Sequence, residues 1–174
     1  TETRPHHVEL LNAIAPAERR AGVFLKGWAD KTPDPELQVC LSLVAARETS
    51  HYEVCKRRIE ELGYTLVEEE DPSFYERLLV HCSDMPDIEK IRYGRARQQR
   101  QQHGPTLRDR YEAATTDETI DPLTRALFTW FAAEEADSRT LLAKPRQDIL
   151  YTSGELSRLY RAGAYRVQQC RSTY

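Results

Sequence analysis

The sequence is short of the features that mark several large classes of protein. Its four cysteines, Cys40, Cys55, Cys82 and Cys170, include no Cys-x-x-Cys pair. That removes zinc-ribbon and rubredoxin-type iron sites and reads the cysteines as structural thiols rather than a disulfide framework. No long hydrophobic run is present: the longest, residues 39–46, contains a serine and falls far short of the ~20 apolar residues of a membrane helix. Residues 1–7 are polar and do not read as a signal peptide, so the expectation is a cytoplasmic protein with no membrane partner. Positive charge is not in excess, since 25 Lys and Arg face 28 Asp and Glu for a net charge of −3. Such a chain has no global basic field to recommend nucleic acid or an anionic membrane. With 7 Gly and 9 Pro in 174 residues, collagenous and low-complexity classes are excluded as well.

What is present is the composition of one folded domain, 40% hydrophobic and 30% charged. Apolar residues recur at three and four rather than alternating, which predicts an all-α protein. A first helix is expected over residues 4–30, with Leu11, Ile14, Ala21, Leu25 and Trp28 on one face. A second opens at Asp34-Pro35, a helix cap followed by proline in the first turn, and ends at Gly63. A short helix is expected over 73–82. The third long helix is poorly marked, because residues 94–104 hold Ala96 as their single apolar residue. A fourth opens at Asp121-Pro122 and is expected to stop at Lys144-Pro145, and a last amphipathic helix is expected over 153–170.

An internal repeat runs at an offset of 87 residues. It pairs Asp34-Pro35 with Asp121-Pro122, Leu41 with Phe128, Ala45 with Ala132, Glu48 with Glu135 and His51 with Ser138. Two antiparallel helix pairs, each half of a four-helix bundle, produce such a pattern. Three helices then share one anomaly, a carboxylate in the middle of the apolar face: Glu18, Glu48 and Glu135. A buried carboxylate must pair, take a proton or bind a cation. His51 follows Glu48 by three residues, so both side chains reach the same side of the helix. Glu134 adjoins Glu135, but the repeat and the spacing from Phe131 select Glu135 as the inward residue.

These residues resemble the ferritin-like, di-iron carboxylate superfamily, in particular its rubrerythrin-type branch. Glu18-x-x-Ala21-x-x-x-Leu25 looks like that branch's first helix, Ala45-x-x-Glu48-x-x-His51 its second, and Ala132-x-x-Glu135-x-x-Ser138 its fourth, with serine in place of a histidine. The resemblance implies one ferritin-like domain over residues 1–174, a four-helix bundle with its core at about 8–143 and an additional C-terminal helical extension at about 146–171. It implies metal ligation by Glu18, Glu48, His51 and Glu135, and a degenerate second half-site, for which His103 and Glu112 are the substitutes on offer. Iron, as one or two ions, is the implied metal, with manganese the other choice and zinc less suited to this ligand set.

The implied function is an iron-dependent oxidoreductase of oxidase, hydroxylase or peroxidase type, acting on O2 or peroxide and a small-molecule substrate. Electrons would come from a separate donor protein, and a homodimer is expected from the exposed tyrosines and leucines of the last helix. A second reading stays open: a metal-free binding or scaffold protein whose glutamates pair with Arg97, Arg100 or Arg108. Lys90, Arg92, Arg95, Arg97 and Arg100 would then contact partners or RNA, or else line a polar pocket above the metal that takes an acidic substrate. The overall negative charge argues against nucleic acid.

Overall fold

The computed structural model describes residues 4–68, 70–100 and 104–154. Among them are six helices and no strand: α1 (His6–Ala29), α2 (Pro35–Glu61), α3 (Pro72–His81), α4 (Asp87–Arg100), α5 (Leu107–Ala114) and α6 (Pro122–Thr152). No helix of the described residues is long and apolar enough to cross a membrane.

The repeated Asp-Pro dipeptides do the same work twice. Asp34 accepts from the Leu37 backbone N–H, and Asp121 from those of Leu123 and Thr124, with Pro35 and Pro122 next in line where no N–H is needed. Asp71 and Pro72 open α3 in the same way. A reciprocal pair, Thr106 and Asp109, caps α5. Each such cap is worth about 1 kcal/mol, so the helix starts are set locally before any packing.

Helices α1 and α2 form the most extensive pairing, and α6 packs against α2, α5 and α4. The apolar interior is divided in two. One cluster gathers Phe24, Leu25, Trp28, Leu37, Leu41, Val44, Leu142 and Leu150; the other gathers Leu10, Leu11, Ile14, Cys55, Ile59, Tyr111, Phe128 and Phe131. Helices α1, α2 and α6 run through both, and each carries its glutamate between them. Close approach of α1 to α2 beside that layer depends on Gly22, where an added Cβ would stand 3.3 Å from the Ala45 carbonyl oxygen and 3.1 Å from Thr49 Oγ1.

Two sequence expectations are corrected. Helix α6 does not stop at Lys144-Pro145 but runs on to Thr152. Pro145 is buried, and the turns beyond it place Ile149 and Leu150 against the Trp28 cluster, a gain that outweighs the hydrogen bond the proline deletes. Residues 146–152 therefore belong to α6, and the expected C-terminal helix, with the dimer face assigned to it, falls from 155 onward outside the described residues. The third long helix is in fact two short ones. In α4 only Lys90 and Ile91 are buried, and its Arg/Gln half is largely exposed, as a segment without apolar periodicity must be.

Candidate metal centre

Glu18 of α1, Glu48 and His51 of α2 and Glu135 of α6 meet in the layer between the two apolar clusters. Each offers a ligand atom, and these atoms all lie within 4.8 Å of one another. Glu18 and Glu48 are buried, His51 is wholly so, and the Glu135 side chain is 20% exposed. Helix geometry accounts for the convergence: Glu48 and His51, three residues apart, share the face of α2 that fronts α1 and α6.

The imidazole is fixed from several sides. Its Nδ1 faces the cluster, 3.0 Å from Glu18 Oε2 and 3.8 Å from Glu135 Oε1. Its Nε2 is 3.1 Å from Glu134 Oε2. The rings of Trp130 and Phe131 stand edge-on to it at 5.1 and 4.9 Å. The tautomer that donates Nε2–H to Glu134 would leave the Nδ1 lone pair toward the carboxylates, the arrangement a histidine needs to bind a cation.

Electrostatics make the cluster ill-suited to hold its full charge alone. Burial pushes Glu18 and Glu135 from 4.5 up to about 7, and Glu48 to about 10. Glu48 keeps a proton and donates it to Glu18, and Glu135 is raised chiefly by its burial. Glu135 Oε1 is buried and has no hydrogen-bond partner. The nearest guanidinium, Arg139 on the next turn of α6, stands 3.7 Å from the other oxygen, Oε2. A divalent cation is what this donor set fits: hard carboxylate oxygens, one imidazole nitrogen, and an oxygen with nothing bound to it.

The remaining sequence candidates lie elsewhere. Glu112 is exposed on α5 and paired with Arg108, 2.6 Å from its Nε, so neither residue joins the cluster. His103 lies outside the described residues. Ser138, the repeat partner of His51, is buried and accepts from Arg47 Nη1 at 3.1 Å. Among the described residues no ion pair brings Arg97 or Arg100 to a cluster carboxylate. Cys55, beside the site, is an inert thiol, pushed up to about 12 by burial and by Glu18.

Two residues of the site escape a reading that takes inward positions one at a time. Glu134 reaches His51 from beside the inward position, and Arg139 follows Glu135 at the four-residue spacing that pairs opposite charges. The latter signal is legible in sequence; the former is not, because Glu134 sits on the flank of the helix.

No protein-family model matches the chain, and neither a curated protein nor a solved structure is significantly similar to it.

Proposed function

We propose that the chain is a ferritin-like, metal-dependent oxidoreductase whose single complete site holds an iron ion through Glu18, Glu48, His51 and Glu135, with manganese as the other metal this ligand set suits. The observation that carries the reading is the convergence of three glutamates and one histidine in the layer between two apolar clusters, with Glu135 Oε1 buried and unpartnered. Glutamates on α1, α2 and α6 and the Glu-x-x-His spacing on α2 are what the resemblance to ferritin-like proteins rests on. Iron in such a site supplies the activation of O2 or peroxide.

The protein's own contribution is binding, orientation and exclusion of water. Glu134 holds His51 by Nε2, so that Nδ1 is presented in one tautomer. Trp130 and Phe131 pack edge-on against the ring and bury it, which strengthens the charge interactions of His51. The raised proton affinities of Glu18, Glu48 and Glu135 mean that a cation displaces protons as it enters. Arg139 sits where it can balance charge on Glu135. With Arg47 against Ser138, a guanidinium occupies the position where a second half-site would need a ligand.

The test is single-turnover oxidation. Protein loaded anaerobically with Fe(II) is expected to lose its Fe(II) on addition of hydrogen peroxide or O2 faster than free Fe(II) in the same buffer, and the Glu48→Ala and His51→Ala proteins are expected to give only the free-ion rate. Equal rates in all three would overturn the reading in favour of a metal-free scaffold.

A further inference from the structure

A second concave site opens beside the carboxylate layer, between α1, α4 and α6. Its volume is about 420 Å³, and its wall includes Trp28, Lys90, Arg95, Gln98, Arg139 and Arg146. None of the described residues lining it carries a carboxylate, which is unusual in a chain whose net charge is −3.

The cations on this wall differ in what they are bound to. Lys90 is buried and donates to the His81 and Ser83 carbonyls at 3.0 and 2.8 Å, so its charge is fixed in place but met by no bonded anion. Arg146 lies over the Trp28 ring, 5.6 Å from its centroid, and its Nε is buried without a hydrogen-bond partner. Burial and the neighbouring Arg95 hold Arg146 below the ordinary guanidinium value. Arg95 is exposed, on the half of α4 that has no apolar face. A guanidinium stacked on an aromatic ring, with an idle buried N–H and a second guanidinium nearby, is the standard means of gripping a planar or tetrahedral oxyanion. Amide nitrogen from Gln98 adds a neutral donor.

We infer that this cavity is a binding site for a small molecule bearing a carboxylate or phosphate group, held by Arg146 and Arg95 with Lys90 supplying fixed positive charge. Arg139 belongs to the wall of this cavity and also stands 3.7 Å from Glu135 Oε2, so an anion seated here lies one side chain from the carboxylate cluster. That the anion is the substrate rests on the metal-dependent reading; that the cavity binds an anion does not.

The experiment is isothermal titration of the metal-free full chain, at constant ionic strength, with inorganic phosphate, phenyl phosphate and benzoate as probes. The two phosphates and the carboxylate separate the sources of the shared anionic chemistry. At least one probe is expected to bind with one-to-one stoichiometry, and Arg146→Gln to weaken it by ~10-fold or more, as loss of a charge-assisted hydrogen bond does. Arg95→Gln, an exposed change that leaves the core untouched, is expected to weaken it by about 3-fold or more, and Arg57→Gln, on the far part of α2 beside Glu61, to leave it unchanged. Failure of all three probes to bind, or equal binding by the wild type, Arg146→Gln and Arg95→Gln, would overturn the inference. Because no metal is present, that failure would leave the reading of the carboxylate cluster to its own test.

Discussion

Arg47 and Glu134 occupy equivalent positions in the two halves of the repeat, 87 residues apart, and each crosses to the helix of the other. Glu134 on α6 reaches Nε2 of His51 on α2 at 3.1 Å, and Arg47 on α2 reaches Oγ of Ser138 on α6 at 3.1 Å. The contacts are mirror images in sequence and opposites in charge. One half places a histidine beside the carboxylates; the other places a guanidinium, itself paired with Asp137 at 2.7 Å, against a serine.

A histidine placed at position 138 is therefore not expected to create a second metal site. The Ser138→His protein is expected to bind no more metal per chain than the wild type, because the Arg47 cation stays beside the new ring. Elemental analysis of both proteins after anaerobic loading with Fe(II) checks this.

Glu134 orients rather than ligates in this account. Glu134→Ala is expected to weaken Mn(II) binding by ~10- to 100-fold while leaving its stoichiometry unchanged, the usual effect of removing the partner of a metal-binding histidine. Calorimetric titration distinguishes this from loss of a ligand, for which Glu48→Ala is the comparison and binding disappears.

The raised carboxyl groups dictate how stability varies with pH. Between pH 4.5 and about 7, Glu18 and Glu135 hold protons in the folded state that the unfolded chain has released, and Glu48 does so up to about 10. The folded state binds more protons across this window, so the stability these groups contribute is complete below pH 4.5 and declines as pH rises. Unfolding of the metal-free protein in urea is expected to need progressively less denaturant from pH 5 to pH 8. Glu135→Gln is expected to flatten the slope, and saturating Mn(II) to reverse it, since the cation replaces the protons.

A contact remote from the site tests the packing of α1. A Cβ at Gly27 would fall 2.1 Å from Cys82 Sγ, at the end of α3. Gly27→Ala is expected to cost about 1–3 kcal/mol despite its better helix propensity. The added change Cys82→Ala removes the obstructing sulfur and is expected to recover most of that loss, as read by thermal or urea unfolding.

Much of the fold is legible in the sequence because its signals are local. Asp34-Pro35 and Asp121-Pro122 start helices wherever they stand, and the carboxylates interrupting apolar faces at Glu18, Glu48 and Glu135 are visible without any tertiary information. The continuation of α6 through Pro145 is not local: it depends on Leu150 finding the Trp28 cluster, contributed by α1. The same is true of the cavity wall, where Arg95 is visible as part of a basic segment but Arg146 joins it only because α6 extends past the proline. The repeat and the spacing from Phe131 select Glu135 over its neighbour Glu134 as the inward residue. The structure uses both, one toward the cluster and one toward the far nitrogen of His51.

The most direct measurement is the metal content of protein purified without a metal-binding tag and reconstituted anaerobically with Fe(II), beside the Glu48→Ala and His51→Ala proteins. Close to one equivalent of iron is expected in the wild type and none in either variant. Absence of bound iron in the wild type, or iron retained in both variants, would contradict the metal-site reading.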